Sequence, residues 1–184
     1  MKKSFSRLTA SVIVAGLVFS SCNKSNDQPG NEEELITTLR VSLYKSGSTT
    51  PIVFEFSDPD GSGGNPPVRF DTIKVDAGSS YNCSLQVLDE SRTPAVDITP
   101  EVVAEGTSHQ FYYQPTGVSI IVQNLNTDNK NYPLGNTSTW TTAPATEGFM
   151  KITLKHKPGG IKTANDDITI GETDVEVNFP AVVK

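Results

Sequence analysis

Between Leu35 and Phe56 apolar side chains recur at alternate residues, and this period of two constrains the fold more than any other feature of the chain. Leu35, Leu39, Val41 and Leu43 share one side, with Ile36, Arg40 and Ser42 on the other; after Ser46-Gly47-Ser48 the alternation resumes at Ile52, Phe54 and Phe56. Successive side chains of a strand point to opposite faces, so the pattern suits a half-buried hairpin and does not line one face of a helix. Residues 68–75 and 81–88 read as a second strand pair, and 110–114, 118–123, 138–142, 149–156 and 173–179 as further strands, about nine in all. Thr99-Pro100-Glu101 departs from the pattern. An N-cap Thr, a Pro at the first helical position, an acid in the first turn and the terminating Gly106 predict one short helical turn. Strands and helices do not alternate, which excludes a doubly wound parallel sheet. Composition agrees, since 20 Thr and 17 Val stand against 9 Ala and 10 Leu.

The connection Val75-Asp76-Ala77-Gly78-Ser79-Ser80-Tyr81 resembles the tyrosine corner of fibronectin type III and related sandwiches, with Ala77 where a Pro is usual. That resemblance implies a phenol hydroxyl tying one sheet to the other. The expected fold is therefore all-β: an immunoglobulin/fibronectin-III-like antiparallel β-sandwich over residues 35–184.

Two segments precede it. Lys2, Lys3 and Arg7 lead into an apolar run over residues 8–19, then Ser20, Ser21 and Cys22. Twelve apolar residues are too few to span a bilayer, for which about 20 are needed, so residues 1–21 read as a signal peptide. Phe19-Ser20-Ser21-Cys22 resembles the lipobox of bacterial lipoproteins, which implies diacylglyceryl transfer to the Cys22 sulfur and attachment to the outer membrane. Residues 23–34 contain no apolar side chain and read as a tether to the lipidated Cys22. Whether the domain faces the periplasm or the outer surface stays open. With Cys22 lipidated, Cys83 is left alone, and its parity with Tyr81, Leu85 and Val87 places it in the core. The net charge is −6, and without the three basic residues of the leader it is −9. Such a surface argues against nucleic acid. Lys151, Lys155 and Lys157 read as a solvated strand face.

Segments Asn31-Glu32-Glu33-Glu34-Leu35-Ile36-Thr37-Thr38-Leu39, His109-Gln110-Phe111-Tyr112-Tyr113 and Gly171-Glu172-Thr173-Asp174-Val175-Glu176-Val177 are similar to a family of small bacterial lipoproteins labelled "type 1 periplasmic binding fold superfamily". The resemblance implies an envelope lipoprotein and carries no biochemical activity with it. Two α/β lobes would need a far longer chain, so the fold expectation rests on the alternation.

Three groups of residues suggest chemistry. Asp58-Pro59-Asp60-Gly61-Ser62 places side-chain oxygens at Asp58, Asp60 and Ser62 ahead of Gly63, as in the first half of a calcium loop. Arg69 stands where the closing carboxylate of an EF-hand would be, so Asp71 or another loop would have to complete the site, and an ordinary turn is the simpler reading. His109 and His156 lie at strand ends, in phase with apolar neighbours, where two imidazoles and a carboxylate could hold a transition metal. Tyr112, Tyr113, Tyr132 and Trp140 would stack sugars if exposed, although aromatics are ordinary core residues. The loop over residues 124–133 reads as a solvent-exposed connection. There is no Gly-flanked Ser elbow and no second domain to form a catalytic cleft. The sequence thus reads as a non-catalytic, lipid-anchored binding or accessory module serving an outer-membrane complex, with a receptor or a glycan as partner. The alternatives are metal capture, through His109 and His156 or the Asp58 loop, and carbohydrate binding.

Overall fold

The hairpin implied by the first alternation forms as β1 (Thr38–Lys45) and β2 (Ile52–Ser57), paired antiparallel from Thr38↔Ser57 to Leu43↔Ile52. The computed structural model describes residues 35–61 and 63–184; the leader, Cys22, the tether and Ser62 lie outside them. After the hairpin come β3 (Arg69–Phe70), β4 (Ile73–Val75), β5 (Ser80–Asp89), β6 (Val96–Asp97) and α1 (Thr99–Ala104). The remaining strands are β7 (His109–Thr116), β8 (Ile120–Gln123), β9 (Thr137–Thr142), β10 (Thr146–His156) and β11 (Glu172–Val183). One sheet runs β3-β2-β1-β5-β9-β8, with β6 beside β5, and the other β4-β11-β10-β7. In chain order β5, β7, β8, β9, β10 and β11 occupy the places of strands B to G of an immunoglobulin sandwich, and β1 lies where strand A would.

Alternation decides what the two sheets enclose. Leu39, Val41 and Leu43 of β1, Tyr81, Cys83, Leu85 and Val87 of β5, and Met150, Ile152 and Leu154 of β10 are all buried, as are Val177, Phe179, Ala181 and Val183 of β11. Each large aliphatic side chain removed from water contributes about 1.5–3 kcal/mol. Cys83 belongs to this core, where burial pushes its thiol pKa up to about 12.

Several local expectations change. Residues 68–75 do not pair with 81–88. They divide into β3 and β4, and β4 joins the opposite sheet, parallel to β11, so the sandwich is not wholly antiparallel. The segment between β4 and β5 therefore crosses from sheet to sheet. There the Tyr81 hydroxyl accepts the Asp76 N–H at 2.9 Å, the tie that the corner sequence implies. The two-residue strands β3 and β6 raise the strand count among the described residues to eleven. The helix forms, but Ile98 is its N-cap. Thr99 Oγ1 instead accepts the Val87 N–H at 2.9 Å, fastening α1 to β5.

Candidate metal centre

Strand β7 begins where β10 ends, and the register places His156 directly opposite His109. Both side chains point inward, in phase with Phe111 on β7 and Leu154 on β10. The imidazoles stack with centroids 4.5 Å apart and planes 14° from parallel. They are 0% and 2% exposed. The turn before β7 brings in a third donor, because Glu105, the C-cap of α1, lies four residues ahead of His109. His109 Nδ1 is 3.3 Å from the Glu105 carbonyl oxygen. Glu105, His109 and His156 each offer one ligand atom, and these atoms lie within 4.8 Å of one another.

A carboxylate reaches His109 from β11 as well. Between Leu154↔Val175 and Lys155↔Thr173 the partner strand advances two residues for one, which leaves Asp174 as the extra residue of a β-bulge. A bulge re-aims the side chain it carries. The Asp174 carboxylate is buried, with Oδ2 3.8 Å from His109 Nε2. Two imidazoles with oxygen donors suit zinc and similar borderline divalent ions. Tetrahedral zinc holds its ligand atoms roughly 3.3 Å apart. Exposed Glu105 is the member with room to close that distance.

Two ammonium groups shape the surroundings. Lys162 Nζ donates to the carbonyls of Gly106 and His109 at 2.6 and 2.8 Å and to Asp128 Oδ2 at 2.8 Å, pinning both ends of the turn that presents His109. Burial lowers the Lys162 pKa from its ordinary value, while Asp128 opposes that shift. Burial also acts to raise the Asp128 carboxyl, but the Lys162 ammonium and the Tyr132 and Lys130 N–H groups outweigh it and hold the pKa below the usual range. The loop over residues 124–133 therefore sends one carboxylate inside and is not merely a solvent-exposed connection. Lys157, expected on a solvated face, is fully buried, and its ammonium bonds the Tyr112 hydroxyl and Asp166 Oδ2, the latter at 2.8 Å. Lys157 and Lys162 are each paired with an aspartate, Asp166 and Asp128, while buried Lys155 donates to Thr173 Oγ1; among the described residues Glu105 and Asp174 are the carboxylates placed beside the imidazoles.

The Asp58 loop lies near the same end. Asp60 Oδ2 accepts the Asn65 backbone N–H at 2.9 Å and its side-chain amide at 2.6 Å. Asp71, the residue looked to for completing a calcium site, accepts the Glu55 N–H at 2.9 Å and pairs with Arg69 at 2.8 Å. Burial, with the neighbouring Asp60 carboxylate, raises the Asp58 pKa. Asp58 lines a cleft of about 390 Å³ together with Asn65, Asp174 and Glu176, so Asp174 connects this loop with the histidine pair. The four aromatics form no exposed platform. Trp140 is fully buried, and Tyr112, Tyr113 and Tyr132 are half-buried.

Sequence reasoning missed Glu105, Asp174 and the two lysine–aspartate pairs. The spacing of Glu105 and His109 across a helix exit was the available signal for the first. A bulge leaves none for the second. Comparisons with protein-family models, curated proteins and solved structures give no match to this chain.

Proposed function

We propose that this chain is a non-catalytic, lipid-anchored module of the cell envelope that captures a borderline divalent transition metal at His109, His156 and Glu105, with Asp174 behind His109. One observation carries the reading: the cross-strand register that sets His109 opposite His156 at the rim of the sandwich, with a carboxylate on either side. The sequence from Lys2 to Cys22 supports the anchor. An outer-membrane receptor that takes the metal onward is the partner this role requires.

Equilibrium dialysis of the full chain against zinc, with a thermal melt in parallel, tests it. The expected result is one bound zinc per chain and a stabilisation of roughly 2.7 kcal/mol at a hundredfold excess over Kd, since the ion binds the native state alone. His156→Gln, which keeps a polar side chain at the position, should lose both effects. Absence of bound zinc, or equal binding by the variant, would overturn the proposal.

A further inference from the structure

On the outer face of the first sheet, away from the histidines, is a groove of about 360 Å³. That lies within the ~300–1,000 Å³ range of small-molecule sites. We infer that it is a binding site for a neutral carbohydrate, independent of the metal centre.

The register builds the groove from side chains that point away from the core. Tyr44 of β1 stands opposite Asn82 of β5, which stands opposite Thr139 of β9, so three adjacent strands form one continuous row. Beside it Ser84 pairs with Thr137. Asn124, just past β8, closes the end with a left-handed φ of 52°, a conformation that Asn tolerates better than most residues. These six side chains line the groove, and none of them is charged in a chain whose residues are 20% charged. Among the described residues no hydrogen bond uses the side chain of any of the six, although the Thr137 main-chain N–H donates to Asn126 Oδ1 at 3.0 Å.

That chemistry selects the ligand class. An anion or cation would need a countercharge, which the lining does not offer. Hydroxyls and amides both donate and accept, as do the vicinal hydroxyls of a sugar. Tyr44 adds an aromatic surface on which the C–H face of a pyranose ring can pack. An extended peptide fits less well. Peptides add to sheets at an edge with unpaired main-chain groups, whereas β5 is hydrogen-bonded on both sides, to β1 and to β9.

The test is a glycan array probed with the full-length chain, followed by calorimetric titration with short neutral glucan, mannan and galactan oligosaccharides. At least one neutral glycan should bind, and a metal chelator should leave the affinity unchanged. Tyr44→Ala and Asn82→Ala should each weaken it about tenfold or more, as expected when one contact is lost. Ser84→Lys puts a charge in the groove without touching the core and should abolish binding at an unchanged Tm. Failure to retain any neutral glycan, binding that all three variants keep, preference for acidic glycans, or loss of binding on chelation would each overturn the inference.

Discussion

Lys162 is the residue whose surroundings are most completely specified. Its ammonium has three acceptors, two main-chain carbonyls and Asp128, and its side chain is 0% exposed. Removing one partner of a buried ion pair is costly because the other charge stays behind unpaired. Asp128→Asn should therefore destabilise the fold by about 3–5 kcal/mol near neutral pH, read as a fall in the urea midpoint. The pH dependence has a definite sign. Asp128 titrates below its ordinary 3.8 in the folded chain, so the unfolded chain binds its proton more readily. Its stabilisation is complete above about pH 4, where both states are ionised, and is lost as pH falls through the folded pKa. The wild type should lose this increment on acidification and Asp128→Asn should not. A variant that keeps the full acid-induced loss would show that Asp128 is not its source.

At the scale of elements, the pairing of β10 with β11 aims the proposed metal centre, and Gly171 allows that pairing to begin where it does. Gly171 has φ +82°, and a Cβ there would lie 2.2 Å from the His156 carbonyl oxygen. Gly171→Ala meets both the left-handed penalty of about 1–2 kcal/mol and a main-chain collision, so a loss of at least ~2 kcal/mol is expected, with weaker zinc binding as the backbone at His156 shifts. Gly159 also has positive φ, at +70°, but nothing lies within 4 Å of its Cβ position. Gly159→Ala should show only the conformational cost and leave zinc binding intact. Equal zinc affinity in the two variants would separate Gly171 from the site. The same elements show what a single sequence can convey. Alternation locates β1 and β5, whose apolar residues line one buried face, and it marks His109 and His156 as inward residues, whereas the last five residues of β10 are buried on both faces. It says nothing about partners, which is why residues 68–75 read as the mate of 81–88 when β4 belongs to the other sheet. Asp174 is illegible for a related reason. Its inward aim comes from a bulge, a departure from the strict period that the reading depends on.

For the whole molecule, the proposed envelope role needs something to hold an acidic sandwich at a membrane. Among the described residues no helix is long and apolar enough to cross a bilayer. The apolar run of residues 8–19 falls well short of the roughly 20 residues a span needs. The covalent lipid proposed at Cys22 would meet the requirement, since more than one acyl chain makes such an anchor stable. Residues 23–34, read as a tether, would reach about 40 Å at full extension. The sheets that carry the proposed metal centre begin beyond that segment, at Thr38. Anchor and site should therefore separate cleanly on mutation. Cys22→Ala should abolish incorporation of labelled fatty acid and move the protein out of the membrane fraction, while the Tm and the zinc stoichiometry of the purified chain stay at wild-type values. Unchanged lipid labelling and membrane association would remove the anchor from the proposal. A variant released from the membrane but unable to bind zinc would instead mean that the N-terminal segment contributes to the site, and that the centre is not built by β7, β10, β11 and α1 alone.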